Sequence, residues 1–494
     1  PALRTEALEI SYKELEQRTN QVGHALANRG AQKGNVCFIG KNVPEFWIAW
    51  LGTGKAGAAF VPLNWRCAAP ELAELIDDAA PSVILTQREY AGMVEKALAE
   101  STATPEVIVF DSRAEGGAGL TEWCGQEPTA DPGVPVTGED IALIAYTSGT
   151  TGRPKGVMIR HEAFDLFHLS DDLEPTINWS ADDVNLMVMP NFHLAGSWVS
   201  LPALYHGGTV ATLPAFEPNG VLDAIERCRP TTLCLVPTAI QALLAAARTT
   251  SADLSSLRTL IYAGSPIPAS TIEQAITTLG CELRQFYGAT ETYIITILRP
   301  DDHHPGDIDV RASCGAPVPL VAVRIVDPTG ADLPDGEVGQ VLVRSPMVMA
   351  GYFHQPEETA RVLRDGWYWT GDLGYRTPSG HHFLVDRAKD MVVTGGENVY
   401  SVEVERALQK HPSVAMVAVV GIPDERWGEA VTAYVVPQAG ASDTGLADDL
   451  GRHCRELIAA YKVPKDIHIV ESLPMTPMGK VRKVDLRARN EQRS

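Results

Sequence analysis

The sequence predicts an α/β protein: a large N-terminal domain of two α/β subdomains plus a small β-rich section, then a small α+β C-terminal domain. Three observations carry that reading. Short β-rich runs alternate with helical patterns over roughly the first 300 residues. Strand-like pieces separated by Gly, Pro and Asp follow Arg311, and the end of the chain has a β/α pattern of its own. In order, 36–39 reads as a strand, 44–56 as a helix, 60–62 as a strand, a helix begins at Pro70, and 83–86 is a strand. The rhythm resumes with strands at 186–189, 209–213, 232–236 and 257–262 and helices at 221–227, 239–247 and 269–279. Strands at 321–326 and 338–343 make the β-rich section. The run Asp-Arg-Ala-Lys-Asp at 386–390 marks the boundary, giving domains 1–388 and 389–494. The second, at about 105 residues, has the size of a small domain. Within it, 402–409 and 446–459 read as helices and 414–422 and 430–436 as strands; 111–135 and 436–444 read as polar loops.

Length and composition bound the function. A chain of 494 residues, at about 100–200 per domain, has room for two to four domains and a large core. With 45% hydrophobic and 21% charged residues it is an ordinary globular chain. Sixty-two acidic against 41 basic side chains give −21, which repels phosphate polymers, so no nucleic-acid partner is expected and any phosphate ligand must be held locally. The eight scattered cysteines form no C-x-x-C pair, which points to reduced thiols and a cytoplasmic location. The His pairs at 303–304 and 381–382 lack ligand-spaced partners and read as solvated loops. No apolar run reaches the ~18 residues of a membrane span. The chain opens at Pro1 rather than methionine, which leaves the native N-terminus open, and composition leaves the oligomeric state open, a homodimer included. The glycines of 52–57 match G-x-G-x-x-G, but late in a helix and leading into a strand, the reverse of a dinucleotide fingerprint; they read as helix–sheet packing.

The most informative segment is 146–156, Tyr-Thr-Ser-Gly-Thr-Thr-Gly-Arg-Pro-Lys-Gly, after the apolar run 141–145. Glycines allow close backbone approach; successive N–H groups and the hydroxyls of Thr147, Ser148, Thr150 and Thr151 can donate to phosphate oxygens, and Lys155 adds a point charge. No Ser or Thr follows the lysine, so it is not a Walker loop. A plain surface turn accounts for Gly149 and its fellow glycines but not for the ordered hydroxyls and lysine.

This segment resembles the signature of the acyl-adenylate-forming superfamily, which includes acyl-CoA synthetases, adenylation domains of peptide synthetases and luciferases. Further motifs follow in the family's order: Gln-Phe-Tyr-Gly-Ala-Thr-Glu at 285–291, Trp-Thr-Gly-Asp at 369–372, the 386–390 run, and Pro-Met-Thr-Pro-Met-Gly-Lys at 474–480. The resemblance implies that Glu291 with Thr290 and Thr147 helps hold Mg2+ at the phosphates of ATP; a hard cation takes oxygen ligands. It places adenine between Tyr287, within Gln285, Phe286 and Gly288, and the wall Gly264-Ser265-Pro266. Asp372 would accept from the ribose hydroxyls, and Arg387 would donate to ribose or phosphate. Taken singly, Tyr287 reads as core, Asp372 as a turn residue and Arg387 as a surface ion pair. Lys480, otherwise a solvated basic tail, would neutralise charge on the forming acyl phosphate anhydride.

The resemblance also implies a mobile C-terminal domain that rotates about Lys389 between two half-reactions. The loop of Gly395, Gly396 and Glu397 resembles that of acyl-CoA synthetases, where paired glycines leave a channel for the pantetheine arm. Trp427 matches a tryptophan associated with the coenzyme A nucleotide in some relatives, with packing as its other reading. Pro-Asn-Phe-His at 190–193 resembles a segment bordering the acid and thiol paths, with His193 in a catalytic role; Asn191 departs from the more usual apolar residue. Ala195, Trp198, Val236, Ala263, Tyr293 and Ile294 fall where relatives line the acid pocket. No acidic residue stands like the amino-group anchor of amino-acid-activating domains, so a hydrophobic acid, fatty or aryl, is expected. The expected activity is an ATP- and Mg2+-dependent acyl-CoA synthetase whose partners are a small carboxylic acid, ATP and coenzyme A. A carrier-protein thiol as acceptor, and a catalytically silent nucleotide-binding relative, are the alternatives.

Overall fold

The structure, a computed structural model, describes all residues except 114–115, 148–153, 266, 304–307, 395–396, 425, 439, 441–443, 477–480 and 492–494, and the side chains of 308–309 and 489–491. It is a mixed α/β protein with two compact units. The first holds Pro1–Val323 with Val343–Tyr368, the second Arg324–Leu342 with Trp369–Ser494.

Two large sheets organise the first unit. In one, strands Glu282–Ala289, Thr259–Ala263, Thr232–Leu235, Val184–Met187, Thr209–Thr212 and Leu3–Arg4 run parallel in that order, with antiparallel edges Tyr293–Leu298 and Ala316–Pro317 at one side and Glu9–Ile10 at the other. The other orders Gly351–Tyr352, Lys155–Arg160, Ile141–Thr147, Ala59–Pro62, Asn35–Ile39, Val83–Gln87 and Glu106–Phe110. Parallel strands need crossovers, and the alternating helices supply them. Because both faces are covered, Ala59–Pro62, Val83–Gln87 and Thr232–Leu235 are buried at every residue. An aromatic chain runs through the shared core: Trp50 stacks on Phe60 at 5.9 Å and meets Phe164 at 5.7 Å, Phe164 meets Trp198 at 5.8 Å, and Trp198 stacks on Tyr293 at 5.8 Å.

The second unit holds most of a five-stranded sheet ordered Ala322–Val326, Gly339–Arg344, Trp367–Arg376 and Leu363–Arg364, with His382–Arg387 paired to Trp367–Arg376. It also holds a C-terminal sheet ordered Glu397–Val399, Val392–Thr394, Gly428–Pro437 and Val414–Asp424, with Asp466–Ile469 parallel to Gly428–Pro437. Helices Ser401–Gln409 and Leu446–Leu457 bury Val404, Leu408, Leu450 and Cys454 in this sheet's core.

Several sequence expectations need correction. The 111–135 loop contains a short helix, Thr121–Cys124. Gly52 packs not on a sheet but on helix Tyr12–Ala27, where a Cβ would lie 2.6 Å from Val22. His303 is not solvated: it is 3% exposed, its Nε2 lies 3.0 Å from the Tyr262 hydroxyl and its Nδ1 2.7 Å from the Arg299 carbonyl. His382 is buried too, in a strand, whereas His304 lies outside the described residues. All eight cysteines are free thiols. Among the described residues, no helix is long and apolar enough to cross a membrane.

Candidate active site

Strands Ile141–Thr147 and Lys155–Arg160 form an antiparallel pair that sets Thr147 opposite Lys155. Ser148, Gly149, Thr150 and Thr151, between them, lie outside the described residues. Lys155 is not an open point charge. The residue is 6% exposed, and its ammonium pairs with the Glu358 carboxylate and sits 5.0 Å over the Tyr352 ring. Arg361 donates to both Glu358 oxygens, at 2.7 and 2.8 Å, and with Lys155 it holds that carboxyl down to about 2, so the pair persists at neutral pH. The Tyr352 hydroxyl donates to Glu291 Oε1 at 2.8 Å. Two segments far apart in sequence, the lysine strand and Glu291, thus meet through Tyr352. Neither Tyr352 nor Glu358 was singled out from the sequence; the run Gly-Tyr at 351–352 and Pro-Glu-Glu-Thr at 356–359 was the available signal.

Glu291 and Thr290 sit in the turn between Glu282–Ala289 and Tyr293–Leu298, where the register shifts between Tyr287 and Gly288. A Cβ at Gly288 would lie 1.9 Å from the Tyr293 carbonyl oxygen, so only glycine allows this approach. Tyr293 itself has φ +61, a left-handed conformation rare for a bulky side chain. The pairing of Ala263 with Phe286 brings the following residues Gly264 and Ser265 level with Tyr287 and Gly288. Gly264 has φ +95, and it and Ser265 are exposed; Pro266 lies outside the described residues. Gln285 and Tyr287 are half-buried, Phe286 buried. Of the residues expected to hold adenine, all but Pro266 thus lie at or just past the ends of neighbouring strands.

The expected acid-binding residues lie at or near the carboxyl ends of the same parallel strands, where open α/β sheets place ligands. Val236 precedes the helix Pro237–Ala247, Ala263 ends its strand, and Ala195 and Trp198 lie around the start of helix Ser197–Tyr205. Tyr293 and Ile294 are buried, and Tyr293 is packed between Phe167 and Trp198. His193 is half-buried in the turn before that helix, its carbonyl accepting from Ser197. Asn191 is fully buried and donates to the carbonyls of Gly40 and Lys41, both at 2.9 Å. It ties this loop to the turn after strand Asn35–Ile39, which accounts for an amide in an apolar setting.

In the second unit, Asp372 and Arg387 are directly paired across two strands, with Arg387 Nε 3.0 Å from Asp372 Oδ1. Asp372 is a strand residue rather than a turn residue. Asp386 is buried and accepts from the Ser401 backbone and hydroxyl and from the Arg387 backbone; burial pushes it up, against the opposing charge of Lys483. Lys389 follows, its carbonyl accepting from Arg487. Trp427 lies half-buried with Arg426 and Lys465 over its ring at 4.7 and 4.8 Å, a platform of two cations and one aromatic face. Glu397 is exposed in a strand, while Gly395, Gly396 and Lys480 lie outside the described residues. Among the described residues, no group of three or more His, Cys, Asp and Glu could hold a metal by itself.

The chain matches the family model "AMP-binding enzyme" over residues 1–353 and "AMP-binding enzyme C-terminal domain" over 403–480. A fatty acid–[acyl-carrier-protein] ligase, ScoC, of Streptomyces coeruleorubidus is 36% identical over 99% of this chain and 93% of its own length. A feruloyl-CoA synthase of an Amycolatopsis species is 38% identical over 99% of this chain and 95% of its own. The crystal structure of ATP-bound MatB from Rhodopseudomonas palustris superposes with a TM-score of 0.89 at 33% identity, covering 99% of this chain and 95% of that one.

Proposed function

Since the chain belongs to the AMP-binding enzyme family of adenylate-forming acid–thiol ligases, we propose that it is an acyl-CoA synthetase for a hydrophobic carboxylic acid, fatty or aryl. A carboxylate oxygen attacks the α-phosphorus of ATP; the new O–P bond replaces the bond to the leaving pyrophosphate, giving acyl-AMP. The coenzyme A sulfur then attacks the acyl carbon, AMP leaves, and the thiol proton passes to solvent. Likeness to an ATP-bound structure supports ATP as the nucleotide.

The observation that carries this reading is the Lys155–Tyr352–Glu291 connection, which sets a cation, a phenol and a carboxylate beside the end of the hydroxyl-rich segment. The half-buried carboxylate of Glu291 suits Mg2+, which is usually held by one or two carboxylates plus substrate phosphates; Glu291 with Thr147 would hold it. When bound, the ion supplies neutralisation of phosphate charge. Thr147, Ser148, Gly149, Thr150, Thr151 and Lys155 order the phosphate side, Tyr287 with Gly264, Ser265 and Pro266 holds adenine, and the paired Asp372 and Arg387 take the ribose. The Trp427 platform fits a phosphorylated nucleotide, which supports coenzyme A as acceptor. We take 1–388 and 389–494 as the working domains, with Lys389 as hinge, and a cytoplasmic location in keeping with eight free thiols. A carrier-protein thiol is the second reading, favoured by likeness to ScoC.

The test incubates the full chain with ATP, Mg2+ and a panel of fatty and arylpropenoic acids, reading pyrophosphate, then adds coenzyme A or a carrier protein and reads AMP and thioester. Pyrophosphate with some acid, then thioester with coenzyme A, is expected. No pyrophosphate across the panel overturns acid activation, and thioester with the carrier alone overturns the acceptor.

A further inference from the structure

A cavity of about 450 Å3 lies in the first unit between the nine-stranded sheet and the helices His161–Leu173 and Ser197–Tyr205. Thr259 and Ile261 on one strand, and Glu282, Arg284 and Phe286 on the next, alternate onto the face that lines it. At one end stand Thr232, Thr259 and Glu282, the first residues of their parallel strands; at the other stand Phe286, Val199 and Tyr293. The cavity thus ends at the tyrosine expected in the acid pocket and runs away from the site, along the sheet, toward the opposite strand ends.

Its inner wall is polar, and its charges are already matched. Arg258 pairs with Asp183, and Arg284 Nη2 lies 2.9 Å from Glu282. Asp171 has no cationic partner among the described residues. It is 7% exposed, the Trp179 indole donates to it, and burial pushes its carboxyl up to about 8, so it is uncharged at neutral pH. One buried polar group of this wall, the Asp171 carboxyl, is matched to no cation among the described residues and, when protonated, carries a hydroxyl that can donate. A polar wall with paired charges and one buried carboxyl offers little to an ionic ligand and a penalty to a purely apolar one.

We propose that this cavity is the distal end of the acyl site and receives the uncharged, hydrogen-bonding terminus, a hydroxyl or carbonyl, of an extended carboxylic acid. The inference rests on the acid-activation reading and narrows its substrate class. Asp171 would set specificity from a distance along the acyl chain, with Tyr293 lining the cavity at the end nearer the reacting carboxylate.

The full chain is given straight-chain acids of about six to twelve carbons, each with and without a terminal hydroxyl. Pyrophosphate release gives kcat/KM, and titration calorimetry gives affinity independently of turnover. At the length that reaches the wall, the hydroxy acid is expected to win by about tenfold or more in both measures. Asp171→Leu should bring that ratio near one and Asp171→Asn should keep most of it, because the amide still donates and accepts. Should Asp171→Leu not fold, Cys281→Phe at the cavity wall should depress the long acids relative to the short ones. Equal affinities of the paired acids at every length, a hydroxy-acid preference that folded Asp171→Leu leaves untouched, or a long-to-short preference that Cys281→Phe leaves untouched, overturns the inference. Absence of pyrophosphate with every acid overturns only the activation reading, since calorimetry still reads the cavity.

Discussion

Asn191 stands where an apolar residue is more usual, and its side chain explains why an amide is kept. Both amide hydrogens serve carbonyls of the Gly40–Lys41 turn. Asn191→Leu leaves those buried acceptors unsatisfied, and a loss of about 1–3 kcal/mol is expected, read as a lower denaturant midpoint with unchanged slope. Asp171 makes a prediction of opposite kind. Its carboxyl is raised in the fold to about 8 by burial, against the Trp179 hydrogen bond and with Asp172 and Glu174 adding to the rise. The folded state keeps a proton that the unfolded chain releases near pH 4, so stability falls as pH rises from about 4 to about 8 and levels beyond. Asp171→Asn removes that dependence; the stability of the variant relative to the parent should climb between pH 5 and pH 8, and a constant difference would refute the assignment. Residue identities such as Tyr287 or Asp372 are legible because their chemistry belongs to the side chain. Asn191 and Asp171 are not, because what matters is which carbonyl or indole the fold sets beside them.

At the scale of elements, alternation and punctuation were informative. Expected strands at 36–39, 83–86, 209–213 and 232–236 lie within a residue or so of Asn35–Ile39, Val83–Gln87, Thr209–Thr212 and Thr232–Leu235, and the helix at 269–279 is Ala269–Leu279. Those runs are short, apolar and bounded by turn residues, so local pattern and burial agree. Gly52 shows the limit: its helical setting is local, whereas the Val22 side chain it accommodates belongs to another helix. Gly52→Ala places a methyl 2.6 Å from Val22 and should cost about 1–3 kcal/mol, although alanine is the better helix former. Helix Pro356–Val362 is fastened to strand Lys155–Arg160 by Glu358 and Lys155. Glu358→Gln leaves a buried ammonium without its counterion, and a loss of about 3 kcal/mol is expected; the double variant Lys155→Met with Glu358→Leu should recover much of it. Equal destabilisation in single and double variants, measured in urea, would show that packing rather than charge holds the two elements together.

For the whole molecule, the proposed chemistry divides between two units, and the division is testable in solution. Lys480→Ala should depress pyrophosphate release by about a hundredfold or more while largely sparing thioester formation from supplied acyl-AMP, as expected of a donor that acts only where charge develops. An equal loss in both half-reactions would refute that assignment. The order of motifs along the chain, the alternation that implies parallel sheets, the acidic balance and the family itself were all determined by sequence, since each is a property of residue type and spacing. The tertiary structure decided the rest: that Lys155 is neutralised by Glu358, that Tyr352 joins it to Glu291, that His303 is a core residue, and that a balanced polar cavity lies behind Tyr293. Those facts depend on distances between segments as far as 203 residues apart, the span from Lys155 to Glu358, and no local pattern encodes which side chains a closed core will bring face to face.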